Sequence, residues 1–114
     1  MKLTLMKNQA KGLLGATSFE VKSQVEITAD EQKLIQHYGL NNAVLFSKKV
    51  TFFGRTTDKA IEVRVRDILG GEGFKCKDLE EVIAYSDSIK SACQTLKGYL
   101  EVAATFGGKE VFEI

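Results

Sequence analysis

The sequence contains few of the residues that build metal and redox sites. It has one histidine and two cysteines among 114 residues, and Cys76 and Cys93 are not in a CxxC spacing. This scarcity argues against a zinc site. Cys93 falls on an apolar helical face and Cys76 in an alternating stretch, so we expect a core thiol and a half-buried thiol rather than a disulfide. We predict no metal and no cofactor.

Long apolar runs are scarce as well. A membrane-spanning helix needs about 18–20 consecutive apolar residues, and no run in this chain approaches that length. Residues 1–15 alternate in polarity and lack the continuous apolar block of a signal peptide. The composition, 44% apolar and 27% charged, is ordinary for a globular protein. We therefore expect a single globular domain over residues 1–114, located in the cytoplasm and without a membrane partner.

The strongest positive signal is a helical period near the end of the chain. Apolar residues recur every three to four positions over residues 86–106, which predicts a long amphipathic helix. The predicted apolar face comprises Ile89, Ala92, Cys93, Leu96, Tyr99, Leu100, Ala103 and Phe106. Asp78 is expected to cap a preceding helical stretch, whose inner residues would be Leu79, Val82 and Ile83. Residues 86–88 are either a surface stretch of one long helix or a break between two, and we favour a break or kink.

Short segments elsewhere alternate in polarity with a period of two, which is typical of strands with one buried face. The predicted strands cover residues 2–6, 19–27, 43–53, 60–66, 74–77 and 109–114. The third and fourth are expected to form a hairpin joined by about six residues, 54–59. Phe112 and Ile114 are expected to point inward from the last strand.

A capping box marks the start of a short helix between the second and third strands. Thr28 is followed three residues later by Glu31, a pattern that predicts a helix over residues 29–38. Gly39 is placed to end it in a left-handed conformation. The predicted buried residues of this helix are Leu34, Ile35 and Tyr38.

Together these signals predict a two-layer α+β fold. An antiparallel sheet of five or six strands is expected to pack on the long C-terminal amphipathic helix, with one short helix between strands 2 and 3. Residues 70–73, Gly-Gly-Glu-Gly, are interpreted as a tight turn, because their spacing fits neither common phosphate-binding pattern.

Catalysis has little support in the sequence. His37 is the one side chain whose ordinary pKa lies near neutrality, and an enzyme with an unrecognised site around it is the weakest of three functional hypotheses. A general base also needs a nucleophile or substrate and an orienting partner, and no residue stands at a spacing that implies one. We predict no catalytic residue.

A basic surface supports a second hypothesis, a nucleic-acid-binding module. Residues 48–66 contain six basic and two acidic side chains. The outer face of the predicted hairpin would carry Lys49, Phe53, Arg64 and Arg66, and cations beside an exposed aromatic ring suit phosphates and bases. The alternative is a solvated strand face, or an edge protected by lysine.

The favoured hypothesis is a small non-enzymatic module that binds a protein partner or itself. Residues 1–66 carry a charge of +5 and residues 67–114 a charge of −4, and these charges would balance either within one fold or across a subunit contact. Strand edges at either end of the chain would also suit a symmetric homodimer. Leu13 and Leu14 lie between Gly12 and Gly15. The favoured interpretation is a loop that folds back on the core, and the alternative is a contact tip for such a partner.

Overall fold

The computed structural model of the protein describes residues 1–12, 15, 17–52, 55–71 and 73–114, with residues 49–52 and 55–59 described by their backbone alone. The elements follow in the order β1 (Lys2–Lys11), β2 (Thr17–Glu26), α1 (Ala29–His37), a 3-10 turn (Leu40–Asn42), β3 (Val44–Phe52), β4 (Arg55–Arg64), α2 (Val65–Leu69), β5 (Gly73–Cys76) and α3 (Leu79–Ala103). This is an α+β fold with antiparallel sheets and a long C-terminal helix, as the sequence predicts.

The strands form two sheets instead of the single predicted sheet of five or six strands. One sheet has the order β1-β2-β5, and β3 pairs with β4 in a second, two-stranded sheet. β1 and β2 are antiparallel from Lys2↔Glu26 to Lys11↔Thr17, while β5 pairs with β2 from Phe19↔Cys76 to Lys22↔Gly73. Side chains from both sheets lie in one core. Each strand therefore shows the same apolar pattern that it would show in a continuous sheet.

The hairpin of β3 and β4 is longer than predicted. Its pairing runs from Val44↔Arg64 to Phe52↔Arg55, with irregularities near Phe46 and Thr51. The predicted six-residue connection is therefore wrong, because residues 55–59 already belong to β4. Residues 53 and 54, where the strands join, lie outside the described part of the chain.

A short helix, α2, replaces part of the predicted turn and of the predicted fourth strand. Arg66 lies in this helix and not on the hairpin. The backbone N–H of Arg64 donates to Oδ2 of Asp67 at 2.8 Å, which satisfies an amide at the start of the helix. Val65 and Ile68 are fully buried, so burial of these two residues stabilises a helix of only five residues.

The capping box at α1 forms as predicted. The backbone N–H of Glu31 donates to the Thr28 hydroxyl at 3.1 Å, and the backbone N–H of Thr28 donates to Oε1 of Glu31 at 2.9 Å. The second bond lowers the pKa of the Glu31 carboxyl because it stabilises the charged form. Gly39 follows the helix with φ of +63°. Tyr38, predicted to be buried, is 40% exposed.

The helix α3 is continuous over 25 residues, and the predicted break at residues 86–88 is wrong. Ser86 is buried and its hydroxyl donates to the carbonyl of Val82 at 2.6 Å. A serine inside a helix can satisfy its hydroxyl in this way without interrupting the backbone. Of the predicted inner residues at the start, Val82 is buried but Leu79 and Ile83 are more than 60% exposed.

Two apolar clusters make up the core, one along each half of α3. The first includes Val21, Ile68, Phe74, Val82, Ile89 and Cys93. The second consists of Ile35, Val65, Leu96 and Leu100. The first half of α3 therefore packs on β2 and β5, and the second half packs on α1. Both cysteines are buried and unpaired with each other, so Cys76 is deeper than predicted.

The predicted last strand is not formed. Residues 109–114 have no secondary structure, and Phe112 and Ile114, expected to point inward, are 76% and fully exposed. Residues 109–114 alternate in polarity as a strand would, but in the described part of the chain they pair with no strand edge. No helix in the described ranges is long and apolar enough to cross a membrane.

Replacing Ser23 by alanine is expected to raise the stability of the protein. Ser23 is 1% exposed, and its hydroxyl has no hydrogen-bond partner in the described part of the chain. A buried hydroxyl without a partner costs about 1–3 kcal/mol. We expect Ser23→Ala to raise the free energy of unfolding by about 1 kcal/mol in a urea titration. Ser47→Ala, on an exposed strand position, is the control and should change stability by less than about 0.5 kcal/mol. A loss of stability in Ser23→Ala would mean that its hydroxyl is bonded.

Candidate interaction surface

The outer edge of β1 is the longest strand edge left open on the three-stranded sheet. β1 lies at the end of that sheet and pairs with β2 on one side. Along ten residues it carries Lys2, Lys7 and Lys11 and no acidic residue. Each edge strand presents a row of backbone N–H and C=O groups that another strand can pair with, and lysines on the edge discourage pairing with a like-charged strand.

Leu3 and Leu5 lie on the core side of β1 but are only partly covered. Both pack against the first core cluster and both remain half-buried. Lys7 follows them on the same face, since side chains alternate along a strand. Met6 lies on the opposite face and is 37% exposed. The edge of β1 therefore offers apolar surface on both sides of the sheet.

The C-terminal segment, residues 109–114, is the second part of the surface. Gly107 leaves the helical region with φ of +89°, and the backbone N–H of Gly108 donates to the carbonyl of Thr105 at 3.2 Å. After this turn Val111 and Phe112 are 86% and 76% exposed and Ile114 is fully exposed. Within the described residues the segment makes no hydrogen bond or ion pair. Three apolar side chains so close together in solvent are typical of an interaction site.

An exposed apolar patch lies where this segment leaves α3. We call it the terminal patch: Tyr38, Tyr99, Val102 and Phe106, which are 40%, 42%, 58% and 65% exposed. The rings of Tyr38 and Phe106 lie 5.6 Å apart. Tyr99 and Val102 are three residues apart and share one face of α3, and Phe106 follows in the turn beyond the helix. Tyr99 and Phe106 were predicted to be buried, and the structure places them on the surface.

His37 lies beside the terminal patch in an open groove of about 780 Å³. The groove is lined by Asp30, Lys33, Leu34, Gln36, His37 and Ala104. The imidazole of His37 contacts the Tyr38 ring edge-on, with 4.7 Å between the ring centroids. In the described part of the chain the imidazole forms no hydrogen bond that could orient it as a base.

Both cysteine thiols are buried. Burial raises the pKa of the Cys93 thiol, and burial together with the nearby Glu81 and Asp78 carboxylates raises the pKa of the Cys76 thiol. A raised pKa lowers the fraction of thiolate, which is the reactive form. No group of three or more potential metal-binding side chains occurs among the residues that the structure describes.

Of the basic residues predicted for nucleic acid, Arg64 and Arg66 are described, and both contact their own chain. The guanidinium of Arg64 donates to the carbonyl of Asn42 and to Glu62, the latter at 2.6 Å. Arg66 donates to the side-chain oxygen of Asn42 at 3.3 Å. Both arginines thus bind Asn42, so that Arg64 connects the 3-10 turn to the hairpin and Arg66 connects it to α2.

The structure does not describe the side chains of the other predicted contact residues. The side chain of Lys49 and all of Phe53, Leu13 and Leu14 lie outside the described part of the chain. The nucleic-acid and leucine-tip hypotheses therefore stay predictions, as does the weaker enzyme hypothesis. Strand edges at either end of the chain were among the contacts predicted for a homodimer, and β1 lies at the edge of its sheet. The terminal patch was not predicted, because Tyr38, Tyr99 and Phe106 were expected to be buried.

No protein-family model, curated protein or solved structure matches this chain. Its function must be inferred from its own surface.

Proposed function

We propose that the protein is a small, non-enzymatic cytoplasmic module that associates with itself through the C-terminal segment. The observation that carries this proposal is the exposure of Val111, Phe112 and Ile114 directly beyond the end of α3. Burying one large apolar side chain is worth about 1.5–3 kcal/mol. These side chains therefore favour a bound state in which they are covered.

A second copy is favoured over an unrelated partner because the chain carries complementary charges. The segment contains Glu110 and Glu113 against one lysine, whereas β1 is purely basic among its charged residues. A two-fold contact would place each acidic segment against the basic strand of the other copy. The buried, unpaired thiols fit a reducing compartment, which supports the cytoplasm.

The affinity is expected to be modest. A six-residue segment covers much less than the roughly 1,600 Å² of a standard interface, even when two copies exchange segments. Because association also costs translational and rotational freedom, we expect a dissociation constant on the order of micromolar.

Sedimentation velocity across a range of concentrations tests the proposal. We expect monomer at the lowest concentrations and dimer at the highest. The variant Phe112→Asp/Ile114→Asp should remain monomeric throughout, because it would place two carboxylates in the contact. The matched control is Leu79→Asp/Ile83→Asp, which changes two apolar residues at the other end of α3 that are also more than 60% exposed and should dimerise like the parent protein. A parent chain that stays monomeric at millimolar concentration would refute self-association.

A further inference from the structure

We infer that the C-terminal segment of one copy adds to β1 of a second copy as an antiparallel strand, in the register Glu110↔Lys7, Phe112↔Leu5 and Ile114↔Leu3. This inference rests on the proposed function and specifies the contact by which it would occur. Strand addition at an open edge supplies backbone hydrogen bonds, and the alternating side chains select the register.

The register follows from the side-chain pattern on the core side of the sheet. Leu3, Leu5 and Lys7 alternate along β1 on that side, and the partner residues of an antiparallel strand run in the opposite order. The sequence Glu110, Phe112, Ile114 then brings Glu110 opposite Lys7 and covers both half-buried leucines. Opposite charges and apolar pairs across two strands stabilise the pairing, whereas like charges destabilise it.

The outer face of the sheet agrees with the same register. Val111 falls opposite Met6, which is 37% exposed. Glu113 falls opposite Thr4 and diagonal to Lys2, within reach of a long side chain. All three apolar residues of the segment thus meet an apolar residue, and both acids meet a lysine. A shift by one residue would exchange the two faces and lose these pairs.

The course of the chain favours a second copy over the molecule's own β1. The end of α3 packs on α1 through Leu96, Leu100 and Ile35, and β1 begins beside α1, where the amino group of Met1 lies 3.1 Å from Glu31. The segment therefore starts at the same end as β1. To pair antiparallel it would have to begin near Lys7, roughly 17 Å further along at about 3.3 Å per residue. Residues 104–108 are wound in hydrogen-bonded turns and do not supply that reach.

Pairing between the β1 strands of two copies would be a less favourable contact at the same edge. Two copies of β1 would bring six lysines together with no acid, and like charges across a strand pair are unfavourable. The other edge of the sheet, on β5, is only four residues long.

A charge exchange tests the register. Lys7→Glu would face Glu110, and Glu110→Lys would face Lys7, so each single variant should weaken dimerisation by roughly 3- to 10-fold, given two such pairs per dimer. The double variant Lys7→Glu/Glu110→Lys should recover most of that loss. Lys22→Glu, an exposed lysine on the neighbouring strand β2, serves as the control with the same charge change and should have a smaller effect.

Disulfide trapping tests the arrangement independently. A mixture of two single variants, Lys7→Cys and Glu110→Cys, should form an intermolecular disulfide under mild oxidation, since directly opposite Cβ atoms in strand pairs lie about 4.5–5.5 Å apart. Asn8→Cys mixed with Glu110→Cys is out of register and should cross-link much less. The native cysteines are buried and provide little background.

The outcomes separate the two proposals. A dimer that persists in Lys7→Glu and gives no Lys7–Glu110 disulfide would overturn strand addition at β1 while leaving self-association intact. A disulfide that closes within one chain of the double variant Lys7→Cys/Glu110→Cys, in a monomer, would overturn the exchange between copies. A parent chain that is monomeric at all concentrations would remove the proposed function itself.

Discussion

Replacing Phe74 by alanine is expected to destabilise the protein by about 3–5 kcal/mol, as for other buried phenylalanines. Phe74 is 1% exposed and lies where three elements meet. Its ring centroid is 5.9 Å from that of Phe46 on β3 and 5.2 Å from that of Tyr85 on α3. On β5 it pairs with Val21 of β2. The ring therefore links the two sheets to the long helix, and alanine would leave a cavity at their junction.

The same ring also has a charged neighbour. Nζ of Lys48 lies 4.6 Å from the centroid of Phe74, an arrangement in which a cation is attracted to the ring face. Because a domain is stable by only about 5–15 kcal/mol in total, we expect Phe74→Ala to remove a large fraction of the free energy of unfolding.

Urea titration followed by circular dichroism measures this loss. Phe112→Ala is the matched control, since Phe112 is 76% exposed, and at concentrations where the protein is monomeric it should change stability by less than about 0.5 kcal/mol. If both variants lost similar amounts, the inferred junction of sheets and helix at Phe74 would be wrong. Phe74→Leu should recover part of the loss by filling some of the cavity.

Replacing Leu96 by alanine should cost about 2–5 kcal/mol. Leu96 is fully buried in the second core cluster with Ile35, Val65 and Leu100. This cluster is the apolar contact between α1 and α3, so its loss should loosen α1 before the rest of the molecule. Hydrogen exchange would show this as faster exchange of the α1 amides relative to those of β2.

The control for Leu96 is Val102→Ala on the same helix. Val102 is 58% exposed, so truncating it should have little effect on the monomer. An unchanged melting temperature for Leu96→Ala would show that the buried face of α3 has been assigned incorrectly. Comparable protection of α1 and β2 in the variant would instead show that the two clusters unfold as one unit.

Local sequence signals predicted the individual elements well. The pattern Thr28-Ala-Asp-Glu31 specified the start of α1, because a capping box needs only residues three positions apart. The period of α3 likewise placed Ile89, Leu96 and Leu100 in the core. In contrast, Ser86–Asp87–Ser88 suggested a break, and the helix continued because burial on one face and the bond from Ser86 to Val82 outweighed a weak local preference.

The pairing of the strands was much less predictable from the sequence. The segment at residues 109–114 alternates in the same way as β2, yet β2 lies in the centre of a sheet and this segment pairs with nothing in the described chain. Alternation reports that one face of a strand is apolar, and it does not report what covers that face. The predicted nucleic-acid site was affected for the same reason. Arg66 was assigned to the hairpin but lies in α2, where it contacts Asn42, which is 24 residues away in the sequence.

Residues within a few positions of one another specify the α+β class, the caps of α1 and α3 and the apolar face of the long helix. Only the folded chain shows that the strands divide into two sheets, that β1 keeps an edge unpaired by the described residues and that residues 111–114 lie in solvent. These features depend on which distant segments meet, and the free energy of that choice comes from packing between segments, which no local pattern records.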